Sequence, residues 1–157
     1  MKTVYIVLFI GIICIYVCLT ISQKNFTCRH SKRLKKYEYD IISEFIKDEY
    51  TTAINYLDDP DATHFYIIED GILVSYFHII LNREGKYYIN YVYTNKNYRG
   101  KGIMKKLLQY ALENMEVDSL YTWTKNTNQV SQHLFISSGF IVISRDKTDV
   151  VLMKRLK

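Results

Sequence analysis

Three strand-like runs in close succession, separated by turn signals, leave this chain few ways to fold. His64 to Glu69 closes at Asp70-Gly71, Ile72 to Leu81 at Asn82-Arg83-Glu84-Gly85, and Tyr87 to Thr94 at Asn95-Lys96-Asn97. Runs rich in β-branched and aromatic residues, bounded by Gly, Asn and Asp, read as paired strands. The period then changes. Ile103, Leu107, Leu108, Ala111 and Leu112 recur at helical spacing, which predicts a helix over Lys101–Asn114. Leu120–Thr124 reads as a strand, Gln129–Ser138 as a helix, and Phe140–Ser144 and Val150–Lys154 as strands. Upstream, Ile41, Ile42, Phe45, Ile46, Ala53 and Ile54 give Tyr37–Leu57 helical spacing, until Asp58-Asp59-Pro60-Asp61 breaks it. Hairpins feeding a strand–helix–strand–helix–strand series predict an α/β mixed sheet in one domain, residues 37–157.

The charge is unevenly placed. Of 21 Lys and Arg, seven lie between Met1 and Lys36, a stretch without a single acidic residue. The remaining fourteen are outweighed by all sixteen Asp and Glu, so the folded part carries about −2 (14 − 16). A general nucleic-acid footprint needs a basic domain face, and this distribution argues against one.

Val4–Ile21 contains eighteen residues and no charge. As a helix it would span roughly 27 Å, close to bilayer hydrocarbon thickness. A cleaved signal peptide ending near Thr20-Ile21-Ser22 is the competing reading, but typical signal cores are shorter, about 7–15 residues. Six basic residues between Lys24 and Lys36, against Lys2 alone before the run, place the following domain on the cytosolic side of a single-pass anchor. The expected organisation is an anchor over 1–22, a basic tether over 23–36 and a domain over 37–157. The Asn25-Phe26-Thr27 sequon sits too near that anchor to outweigh the charge pattern. Cys14, Cys18 and Cys28 all precede the expected domain, which leaves it neither a disulfide framework nor a cysteine metal site.

The most informative stretch is NYRGKGIMKKLL, Asn97–Leu108. It fits neither the Walker pattern nor the dinucleotide fingerprint, because Lys105 stands where the third glycine belongs. Its chemistry still suits an anion. Gly100 and Gly102 let the backbone turn its N–H groups toward a ligand, and a helix start adds partial positive charge. Lys96, Arg99, Lys101, Lys105 and Lys106 supply five cations within eleven residues.

Arg99-Gly100-Lys101-Gly102-Ile103-Met104 resembles the Q/R-x-x-G-x-G/A motif of the GNAT superfamily of acetyl-CoA-dependent N-acetyltransferases, with Met104 in place of the last small residue. Asn128 through Phe140 is similar to a second pattern of that family, N-x-x-A-x-x-L-Y-x-x-x-G-F, with Phe135 where the tyrosine stands. The resemblance implies a GNAT-like fold and a coenzyme A site at Val92, Tyr93, Thr94, Arg99, Gly100, Lys101, Gly102, Ile103, Met104, Asn128 and Phe135, with no metal. It further implies direct attack of an acceptor amine on acetyl-CoA, with a backbone N–H near Val92–Thr94 stabilising the oxyanion. The family often places a carboxylate base on the third strand. This chain has Tyr88 and Asn90 there instead, so His78 and Tyr88 are the weak catalytic candidates, each with a plain structural role as the alternative. Glu38–Asp70 holds ten acidic residues and one basic, a net of about −9, which would concentrate a cationic amine acceptor. The alternative reading is a GNAT-fold, coenzyme A-binding adaptor without turnover.

Overall fold

The structure of the protein, a computed structural model, describes residues 26–47 and 50–157, with the backbone alone at 51–53. Its elements run β1 (Arg29–Ser31), α1 (Lys36–Ile46), a 3-10 turn (Thr51–Tyr56), β2 (Ala62–Glu69), β3 (Ile72–Leu81), β4 (Tyr87–Thr94), a second 3-10 turn (Lys96–Tyr98), α2 (Ile103–Asn114), β5 (Ser119–Lys125), α3 (Gln129–Ser137), β6 (Ile141–Arg145) and β7 (Asp149–Arg155). The strands form one sheet in the order β1-β2-β3-β4-β5-β7-β6, in which β4–β5 is the parallel pair. This is the mixed sheet that the strand and helix pattern implied.

Two apolar layers sandwich the sheet. Ile103, Leu107, Leu108 and Ala111 of α2 pack with Phe135 against Phe65, Phe77, Ile79 and Ile89 on one face. Ile42 and Ile46 of α1 cover Tyr66, Leu73, Tyr76 and Tyr93 on the other. The alternation of side chains along each strand sends successive residues to opposite layers.

Two segments differ from their sequence-based expectation. Arg29–Ser31, read as tether, pairs antiparallel with His64–Tyr66 as the edge strand, and Phe26 already packs edge-on against Tyr98. The expected helix Tyr37–Leu57 is two pieces. Helical spacing continues past Ile46, but Tyr50 adopts φ −143°, ψ 71°, and its hydroxyl donates to the Val92 carbonyl at 3.0 Å. That tertiary contact wins over local periodicity. Among the described residues no helix is long and apolar enough to cross a membrane, and the expected anchor Val4–Ile21 lies outside them.

The sheet is split where it matters. β4 pairs with β5 only at Tyr87–Ile89 against Leu120–Thr122, although both strands run on to Thr94 and Lys125. On its other side β4 pairs Tyr93 with Tyr76 and Asn90 with His78, so Tyr91 and Val92 together oppose Phe77. Such a bulge bends a strand. Tyr91 takes it up with a left-handed φ of +53°, and the two strands part to form a cleft.

Candidate active site

The cleft between β4 and β5 has a volume of about 1120 Å³. Its lining comes from the bulge of β4, the Arg99–Lys105 turn, the end of β5 and the first turns of α3. Gly100 and Gly102 sit at φ +75° and +70°, with open space where a Cβ would be. Only glycine adopts that conformation cheaply. Gly102 is the N-cap residue of α2, and its carbonyl accepts from Lys106 N at 3.1 Å. The N–H groups of Ile103, Met104 and Lys105 precede the first intrahelical bond and have no acceptor within the helix. Helix-start donors and two left-handed glycines therefore open onto the cleft together.

Arg99, Lys105 and Lys125 line this cleft, and no Asp, Glu or His does so among the described residues. Arg99 is fixed by its Nε, which donates to the Thr94 carbonyl at 2.8 Å. Lys125 bridges to Asp149 at 3.0 Å and lies over the Trp123 ring. The expected five-cation cluster is divided by the fold. Lys101 donates back to the Asn97 carbonyl at 3.2 Å and covers Tyr98, while Lys106 reaches the Phe26 carbonyl at 2.9 Å.

Of the expected cofactor residues, Val92, Thr94, Arg99, Gly100, Gly102, Ile103, Met104, Asn128 and Phe135 line the cleft. Tyr93 and Lys101 do not. Tyr93 is buried in the opposite layer beneath α1. Asn128 caps α3, its Oδ1 accepting from Ser131 N at 3.0 Å, which leaves its NH₂ end as the donor. Phe135 is buried to 1% exposure and meets Phe140 at 5.1 Å between ring centroids. Met104, where the motif has a small residue, is accommodated by tucking its sulfur 3.9 Å from Ser75 Oγ.

The two catalytic candidates fall elsewhere. Tyr88 stacks on Tyr121 with centroids 5.5 Å apart, outside the cleft. His78 is fully buried, its Nδ1 3.2 Å from the Tyr76 hydroxyl. That same hydroxyl lies 3.0 Å from Nδ1 of His64, also fully buried. Burial, then the neighbouring His64, pushes the His78 imidazole down to about 3. Burial likewise pushes His64 down to about 4 against the pull of Asp59 and Asp58. A base that weak cannot hold an amine's proton at neutral pH. His78 instead supports the cleft wall, with its ring 5.2 Å from Tyr91 and 5.5 Å from Tyr56.

Sequence reading missed Tyr50, Tyr56, Tyr91, Trp123 and Lys125, all of which line the cleft. Trp123 and Lys125 had a usable signal, because they alternate with buried Thr122 and Thr124 on a strand that stops pairing with β4. Tyr91 had none, because a bulge leaves no periodic mark.

The fold also occurs in solved structures. Campylobacter jejuni N-acetyltransferase PseH, in complex with acetyl coenzyme A, superposes with TM-score 0.60 at 17% identity, over 84% of this chain and 99% of that one. The ribosomal-protein-S18-alanine N-acetyltransferase of Escherichia coli gives 0.66 at 14% identity, over 83% and 95%. An N-acetyltransferase from Staphylococcus aureus gives 0.65 at 17% identity, over 83% and 98%. No protein of curated function matches this sequence significantly. The acetyltransferase (GNAT) family, by contrast, matches residues 25–140, a span that runs from the edge strand through the split sheet to the end of α3, and so this chain belongs to the GNAT family and is an acyltransferase.

Proposed function

We propose that the protein transfers an acetyl group from acetyl-CoA to an acceptor amine in the β4–β5 cleft. The observation that carries this is the turn Arg99–Lys105. It presents two left-handed glycines, helix-start N–H groups and two cations to a cleft that no carboxylate lines among the described residues. Those groups suit a pyrophosphate. Arg99, Lys105 and Lys125 would hold its charge, the N–H groups of Ile103 and Met104 its oxygens, and Asn128 the chain beyond. When bound, acetyl-CoA supplies a thioester carbonyl open to attack by an amine. Past Ile89 the backbone of β4 is not paired with β5, which supports a role for N–H groups near Val92 in polarising that carbonyl. Among the described residues no carboxylate or imidazole lines the cleft, so the acceptor's proton would leave to water, and the protein contributes chiefly position and field.

Calorimetric titration with acetyl-CoA tests the site. Gly102→Ala and Gly102→Glu both strain the φ of +70°, but only the second adds a negative charge. Gly102→Glu abolishes binding and Gly102→Ala weakens it modestly. Equal affinities in the two folded variants would refute the assignment.

We propose further that Val4–Ile21 anchors the chain with the domain on the cytosolic side. The uncharged run and the six basic residues after it support this. Protease added to intact microsomes should digest the domain, and protection would reverse the topology.

A further inference from the structure

We propose that the acceptor is an amine borne next to an aromatic or flat apolar group, which lodges against Tyr50, Tyr56 and Tyr91. The proposal rests on the transferase reading above and names its substrate class.

The cleft is divided by chemistry. Arg99, Lys105 and Lys125 gather where α2 begins and β5 ends, whereas among the described residues the loop before β2 and the bulge of β4 contribute rings and no charge. Tyr91 stands 5.5 Å from Tyr50, edge to face, and 5.8 Å from Tyr56. The Tyr50 hydroxyl is spent on the Val92 carbonyl, so its polar end is tied to the bulge. Tyr91 keeps a left-handed backbone that a bulky side chain rarely adopts, and the ring of His78 beneath holds it there. Strain of this kind clusters where a surface is shaped for a ligand. Across the cleft Trp123 is 52% exposed, an unusual display for so large a ring. Aromatic faces on both sides match a flat apolar group better than a flexible polycation.

The described part of the acidic stretch Glu38–Asp70 supplies no counter-charge to this cleft. Among the described residues none of its carboxylates lines the cleft. Asp40 pairs with Lys36, Glu38 accepts from Lys35 N and the Tyr37 hydroxyl, and Glu69 accepts from Thr27 N.

Steady-state thiol release by the full chain, with 2-phenylethylamine, propylamine and spermidine as acceptors, tests the inference. We expect kcat/KM for 2-phenylethylamine at least tenfold above both others. Tyr91→Gly, which tolerates the backbone conformation, and Tyr56→Leu should each bring the phenylethylamine-to-propylamine ratio close to one. KM for acetyl-CoA should move less than twofold. A preference for spermidine, or an unchanged ratio in both variants, overturns the proposal. If no amine releases thiol, the transferase reading has failed, and calorimetric titration of the coenzyme A complex with 2-phenylethylamine still decides this one. Binding weakened by Tyr91→Gly supports the aromatic site, and no binding refutes it.

Discussion

Acid should unfold this domain through its two buried histidines. His64 and His78 are both fully buried and share the Tyr76 hydroxyl. One hydroxyl can donate to only one imidazole, so the other must donate to it, and both rings are held neutral. Their Nε2 atoms have no hydrogen-bond partner among the described residues. A positive charge has no place there. The folded values lie near 4 and 3, whereas an unfolded histidine titrates near 6.5. The unfolded chain therefore binds protons that the fold refuses. Stability is full above about pH 6.5 and is lost as pH falls toward the folded values. At about 1.4 kcal/mol per pH unit and histidine, the slope within that window should approach about 2.7 kcal/mol per pH unit. Between pH 7 and pH 4 each histidine removes about 3 kcal/mol, and together they remove as much as many domains possess. Ordinary carboxylates titrate below about 4.5, so the interval from pH 6.5 to 4.5 isolates the imidazoles. Urea unfolding followed by Trp123 fluorescence across that interval measures the slope. His64→Gln and His78→Gln should each remove about half of it, since an amide can still bond the Tyr76 hydroxyl. A slope below about 0.7 kcal/mol per pH unit in the native chain, or one unchanged in the double variant, would refute the reasoning.

Phe135→Tyr should leave coenzyme affinity nearly unchanged and not reduce turnover, because the ring already lines the cleft. A large loss of turnover would mean the hydroxyl had been forced into the core against Phe140, at about 1–3 kcal/mol for an unsatisfied buried group. Lys125→Ala and Lys105→Ala should each weaken acetyl-CoA binding roughly tenfold, the scale of one charged hydrogen bond, and less in high salt. Calorimetry at two ionic strengths checks this. For an alkylamine of pKa about 10, kcat/KM should climb about tenfold per pH unit through neutrality. A plateau from about pH 7 would reveal a base that is not among the described lining residues.

The sheet and its turns were readable because strands β2 to β4 are runs of β-branched and aromatic residues closed by Asp70-Gly71 and Gly85, and α2 carries a clear 3.6-residue stripe. The anion end of the cleft was readable for a physical reason as well. Gly100 and Gly102 are glycines because their φ angles are positive, and that requirement is written directly in residue type. The acceptor end was not readable. Tyr91 reaches the cleft through a bulge, Tyr50 by breaking a periodic helix, and both depend on partners far along the chain. β1 is three residues of a basic segment, Arg29-His30-Ser31, and forms only because β2 offers it an edge. His78 was visible as a histidine in an apolar run, but His64, which shares the Tyr76 hydroxyl with it, meets it only across the folded sheet.

The most direct test of the central claim is product stoichiometry. The full chain is incubated with acetyl-CoA and an amine, and free thiol and acetylated amine are quantified in the same samples. Transfer at this cleft yields one acetylated amine for each thiol released, with both products lost in Gly102→Glu. Thiol release without acetylated amine, or equal yields of both products in Gly102→Glu and the native chain, would contradict transfer at this cleft.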